Sequence, residues 1–151
     1  MTWMGVDLGD ARVGLALSDP EVTLALPAGN VRVHGDSFQA LDEVLDVIED
    51  RHVERVVVGL PLQLDGSEGK SAKKARRWAK ALERRIEVTW QESQVPRDWT
   101  PDVMLMDERL TTVDAHHRLS AAMVGSREHR KVVDQQAAMT ILQTAIDQVR
   151  R

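Results

Sequence analysis

The sequence predicts an α/β protein, a mixed β-sheet with helices packed on it, and three observations carry that prediction. Apolar residues alternate through two early segments joined by a glycine-containing turn, "GVDLGDARVG" and its continuation. Two continuous apolar runs, "RVVVGLP" and "DVMLMDE", have the pattern of strands buried on both faces. Between and after them, apolar residues recur at helical spacing. The predicted order is β-β-β-α-β-α-β-α-α, a three-stranded antiparallel meander followed by βαβαβ. A chain of 151 residues suits one domain, residues 1–151.

Each element has its own reason. Val6 and Leu8, then Val13, Leu15 and Leu17, alternate on either side of the turn at Gly9, Asp10, Ala11 and Arg12. "AGNVRVHG", residues 28–35, reads as a third short strand. Phe38, Leu41, Val44, Leu45 and Ile48 then predict an amphipathic helix over residues 37–51, with Asp36 and Gln39 spaced as a capping box. "RVVVGLP" ends at Gly59 and Pro61 as a parallel central strand, and a polar loop, residues 62–69, leads to a basic helix. In residues 86–101 Ile86, Val88 and Trp90 alternate like a strand before two prolines break the pattern. After "DVMLMDE", Thr111 and Asp114 have helix-start spacing, predicting a helix to about Gly125. The last helix spans roughly residues 130–149, with Ala138, Ile141, Leu142, Ala145, Ile146 and Val149 on one face.

Composition narrows the classes. No apolar run is long enough to cross a bilayer, and no basic leader precedes Asp7 and Asp10, so neither a membrane partner nor secretion is expected. The absence of cysteine excludes disulfides and thiolate metal sites and fits a cytoplasmic setting. The net charge of −4 alone argues against a polyanionic partner, yet the charge is segregated. Residues 70–85 hold eight of the twenty Lys and Arg with only Glu83 opposing, whereas residues 36–54 hold seven acids against Arg51 alone. A solvated helix face usually mixes the two signs; this one does not.

Acids also occur where acids are costly. Asp7 interrupts the first strand, Asp107 and Glu108 close the last, and Asp134 precedes core-facing Ala138 and Ile141 by four and seven residues. Parallel strands present their carboxyl ends on one sheet edge, where Asp7 and one of the Asp107/Glu108 pair converge, with Asp134 supplied by a packed helix. Hard oxygen ligands of this kind suit Mg²⁺ or Mn²⁺ and phosphodiester hydrolysis, with two ions about 3.5–4 Å apart. Unrelated, salt-bridged structural acids are the competing reading.

"GVDLGDARVGLALSDP", "VVVGLPLQLDGSEG", "DERLTT" and "VVDQQAA", in this order, resemble the YqgF/RuvX family of RNase H-fold nucleases, linked to pre-16S rRNA processing and likened to Holliday junction resolvases. The resemblance implies an RNase H-like sheet, a Mg²⁺ or Mn²⁺ requirement, and Asp7, Glu108 and Asp134 as catalytic, metal-binding residues, which selects Glu108 over Asp107. It implies structured RNA, or branched DNA, as substrate, the 65–69 loop near the site, and a homodimer. Residues 88–102 depart from the family pattern by their greater length.

Other residues fit nucleic acid. Arg12 and Arg109 offer bidentate guanidinium groups for a phosphate, or pair with Asp10 and Asp107. Lys70, Lys73, Lys74, Arg76, Arg77 and Lys80 suit a phosphate backbone, with Arg127, Arg130 and Lys131 as a second basic cluster before Asp134. Trp78, Trp90 and Trp99 suit base stacking or, more simply, packing. Two other classes compete. "DLGDARVG" also resembles the phosphate-binding hairpin of sugar-kinase and actin-like ATPases, and a non-catalytic RNA-binding protein would use the basic helix alone.

Overall fold

The computed structural model describes residues 1–94, 97–110 and 126–150, with backbone alone for residues 126–134. Five strands form one sheet in the order β3-β2-β1-β4-β5: β1 Thr2–Leu8, β2 Arg12–Ser18, β3 Ala25–Arg32, β4 Val53–Leu60 and β5 Asp102–Asp107. The first three pair antiparallel, and β4 pairs parallel to β1 and to β5, which is the predicted meander continued by parallel strands. Among the described residues three helices pack on it: α1 Leu41–Asp50, α2 Lys70–Glu92 and α3 Ser126–Val149. The helix expected from Thr111 to Gly125 lies outside the described residues.

Strand alternation divides the core in two. Met4, Val6, Val13, Leu15, Val31, Val56 and Val58 face α1 and α2 and meet Val44, Ile48, Trp78 and Leu82. Trp3, Ala16, Val57 and Met106 face α3 and meet Ala138, Ile141, Leu142 and Ile146. β4 serves both faces, with Val56, Val57 and Val58 all fully buried, as its continuous β-branched run requires. Trp78 is fully buried with its indole N–H donating to the Ser37 carbonyl at 2.9 Å, so the apolar ring leaves no orphan donor.

Three expectations are corrected. β3 begins at Ala25 rather than residue 28, because β3 is an edge strand where Pro27 need not donate a ladder hydrogen bond. Its start is held from the other side by buried Gln143, whose Oε1 accepts from the Ala25 N–H at 2.9 Å and whose amide donates to the Thr23 carbonyl at 3.2 Å. The alternation of Ile86, Val88 and Trp90 is not a strand, since α2 runs to Glu92. Trp78, Leu82, Ile86 and Trp90 recur every fourth residue toward the core, while Val88 is half-exposed. The capping box is also modified. Asp36 accepts from the Phe38 N–H at 3.0 Å, but Gln39 reaches back to the His34 N–H at 2.9 Å, and residues Ser37–Ala40 form a 3-10 turn before α1.

The segment after α2 packs on aromatic contacts. The Trp90 indole donates to the Trp99 carbonyl at 2.6 Å, His52 stacks on Trp99 with centroids 4.0 Å apart, and Arg97 lies 4.2 Å over the Trp90 ring. These tryptophans serve packing.

Candidate active site

β1 carries Asp7 one residue beyond the Val6–Val58 pairing, so Asp7 stands beside Gly59 on β4 and directly opposite Gly14 on β2. A carboxylate is thus flanked by residues without side chains on both neighbouring strands. Met104 and Met106 of β5 face α3, and Glu108, two residues further on, keeps to that side, whereas Asp107 turns the other way. A Cβ placed on Gly59 would stand 3.0 Å from Glu108 Oε1 and 2.5 Å from the Ile141 methyl, so only glycine admits both. Glu108 itself opens a short 3-10 turn, Glu108–Leu110, at the carboxyl end of β5.

Asp7 and Glu108 line one narrow cleft of about 50 Å³, with Asp10, Ser71 and Lys74 at its margin. That volume suits ions and a few waters rather than an organic cofactor. Wider hollows lie elsewhere, including one of about 330 Å³ between Trp3, Arg55 and Trp99, at the opposite end of the parallel strands. Electrostatics sets the narrow cleft apart. Burial raises the Asp7 carboxyl above its ordinary value. Burial, then the charges of Asp7 and Asp107, raise Glu108.

The remaining predicted residues divide by location. Lys74 lines the cleft, its Nζ 3.5 Å from Asp10 Oδ1, so the acid expected to pair with Arg12 is engaged by α2 instead. Lys70, Lys73, Arg76 and Arg77 are exposed on α2, and Arg76 pairs with Glu68 at 2.5 Å. Arg109 forks onto Asp107, with Nη2 to Oδ2 at 2.8 Å and Nε to Oδ1 at 3.1 Å, and this bond lowers the Asp107 carboxyl from its ordinary value. Arg109 also stands 3.4 Å from where a Cβ on Gly66 would lie, which brings the 65–69 loop to the end of β5. Arg12 is exposed at the start of β2. The side chains of Asp134, Arg127, Arg130 and Lys131 lie outside the described residues. The backbone places Asp134 on α3, one turn before Ala138 and next to a break in helical geometry at Gln135, φ −120° and ψ 20°. Among the described residues no group of three metal-ligating side chains is complete.

Two polar residues at this end have roles the sequence does not assign. Asp10, expected in the turn and as a partner of Arg12, meets Lys74 at the cleft margin instead. Gln135 is buried and accepts from the Gly29 N–H at 3.0 Å, fastening the broken turn of α3 to β3. Its sequence signal is its spacing, three and seven residues before core-facing Ala138 and Leu142.

A family model described as "RuvX: Holliday junction resolvase" matches residues 1–148. The chain belongs to the RuvX family. Among its RuvX relatives, a Bifidobacterium longum subsp. infantis protein named "Putative pre-16S rRNA nuclease" is 63% identical over 150 residues, 99% of each chain. A Mycobacterium leprae protein of the same name is 42% identical over 147 residues, covering 97% of this chain and 73% of its own. The solved structure of Thermus thermophilus RuvC in complex with a Holliday junction substrate matches this RuvX fold with a TM-score of 0.53 at 19% identity, covering 99% of this chain and 96% of that one. The likeness establishes the RNase H-like, RuvC-type sheet.

Proposed function

We propose that this chain is a divalent-metal-dependent nuclease that hydrolyses phosphodiester bonds in structured nucleic acid, and that its substrate is the 5′ end of the pre-16S rRNA. The observation that carries the reading is the meeting of Asp7 and Glu108 in one cleft at the carboxyl ends of parallel strands. The names of the relatives support the substrate.

The donor set fits a hard cation. The described carboxyls are held close enough for Asp7 to raise Glu108, a repulsion that a divalent ion relieves, and both offer only oxygen. Asp7, Glu108 and, from α3, Asp134 are the residues that would hold Mg²⁺ or Mn²⁺. Bound divalent ions supply an activated water and neutralise charge on the leaving oxygen. The chain's own residues do the rest. Lys74, already drawn into the cleft by Asp10, supplies positive charge beside the substrate phosphate, and the exposed cations of α2 track the backbone without reading sequence. Arg109, locked on Asp107, holds the end of β5 and so the position of Glu108.

The test is cleavage of a labelled precursor-rRNA fragment and of a four-way DNA junction, with Mg²⁺, Mn²⁺ or chelator. The expected result is ion-dependent cleavage, faster on the RNA, and lost in Asp7→Asn by roughly 10³-fold or more, the scale for removing one member of a catalytic unit. Undiminished cleavage in chelator or in Asp7→Asn overturns the mechanism. Faster cleavage of the junction reassigns the substrate to branched DNA, and RNA binding without hydrolysis makes this a non-catalytic RNA-binding protein.

A further inference from the structure

Arg12 and Arg32 are direct cross-strand partners at the open end of β2 and β3. Like charges opposite one another weaken a sheet, so such a pair needs a compensating anion. Among the described residues neither forms an ion pair, and neither does exposed His34 beyond them. The nearby acids are engaged elsewhere: Asp10 by Lys74, and Asp36 by the Phe38 N–H. The three basic side chains, with Asn30, line an open groove of about 470 Å³.

The groove is built rather than incidental. Its floor is fixed by hydrogen bonds from the Val33 N–H to the Ala11 carbonyl and from the Gly35 N–H to the Asp10 carbonyl, both 3.0 Å, with Val33 buried beneath. His34 is held by its N–H bond to Gln39. The groove is also continuous with the cleft. Val13 and Val31 face α1 and α2, so Arg12, Gly14, Asn30 and Arg32 share the face that carries Asp7. Asn30 pairs with Gly14, and Gly14 with Asp7, which puts the groove two strands, roughly 10 Å, from the acid. A single backbone leaving the cleft spans that distance within a few nucleotides.

We infer that Arg12, Arg32 and His34 form a seat for a backbone phosphate flanking the cleaved position, so that the substrate strand crosses the sheet from the Asp7–Glu108 cleft over Gly14 to the β3 edge. The inference rests on the nuclease reading and extends it to Arg32 and His34.

The experiment measures affinity for the labelled precursor-rRNA fragment and the four-way junction, with chelator present, as a function of salt, and separately single-turnover cleavage at saturating protein. Arg32→Ala and His34→Ala are compared with Arg51→Ala, an exposed arginine at the opposite end of the sheet, each checked for a Tm no lower than that of the wild type. Arg32→Ala is expected to weaken binding of both nucleic acids about five- to tenfold near physiological salt and to lower the salt slope by about one, with cleavage at saturation unchanged. His34→Ala gives a smaller loss and Arg51→Ala none. Wild-type affinity and slope in Arg32→Ala, while the wild-type protein cleaves, overturns the seat alone. A wild-type protein that neither binds nor cleaves overturns the nuclease reading and the seat with it.

Discussion

Asp7 shows at the level of one residue why a site opposes stability. Among the described residues it has no hydrogen bond or ion pair, and burial raises its carboxyl. Protonated Asp7 is therefore favoured by the fold, a contribution complete below the ordinary carboxylate range and lost as pH rises through the raised value. Above that value the ionised groups of Asp7 and Glu108 work against the folded state. Asp7→Asn, which keeps the shape and removes one charge, is expected to raise Tm by a few degrees at neutral pH without added metal. The gain should vanish below about pH 3, where both carboxyls carry protons in folded and unfolded chains. Added Mg²⁺ or Mn²⁺ should stabilise the wild type and leave the variant nearly unmoved, because only a bound ligand shifts Tm. Thermal unfolding across pH with and without metal reads all three. The acid was conspicuous in the sequence because its neighbours are apolar. Choosing Glu108 over Asp107 was beyond alternation alone, since the register of β5 relative to its two faces is a property of packing.

At the scale of elements, the sheet approaches α3 through absences. A Cβ on Gly5 would stand 2.5 Å from the Ala138 carbonyl oxygen and 2.7 Å from the Leu142 Cβ, both on a rigid helix. Gly5→Ala must push α3 from the sheet, with an expected loss of about 1–3 kcal/mol, read by denaturant unfolding, and a fall in cleavage because the turn bearing Asp134 moves with it. Gly59→Ala meets the same helix at Ile141 but also Glu108, so its cleavage should fall further than its stability does. Sequence patterning revealed most of these elements, because β4 and the apolar stripe of α1 each satisfy one period throughout. It faltered where periods overlap or tertiary bonds decide. Ile86 to Trp90 fits both periods over five residues, and only the longer series from Trp78 separates them. The start of β3 and the broken turn of α3 depend on Gln143 and Gln135, whose partners lie more than a hundred residues away in sequence.

Over the whole molecule, charge distribution outweighs net charge. α2 begins at the cleft, where Ser71 and Lys74 line it, and runs away from it for 23 residues. At 1.5 Å per residue, Arg84 and Arg85 lie roughly 15–20 Å beyond Lys73, about two screening lengths at physiological salt. Arg85 is in addition paired with Asp42 of α1, whose acidic outer face repels a polyanion. Lys70 and Lys73 have no such competition among the described residues. The basic helix should therefore act as a graded surface, strongest in its first turns. Replacing Lys70 and Lys73 together by Glu is expected to weaken nucleic-acid binding by at least about tenfold and to flatten its salt dependence. The same double reversal at Arg84 and Arg85 should change affinity less than about threefold, because screening and the α1 acids already mute that end. Equal losses from both ends would mean that the chain binds through its overall field rather than along a path leading to Asp7, and titrations of the two double variants at matched salt decide between them.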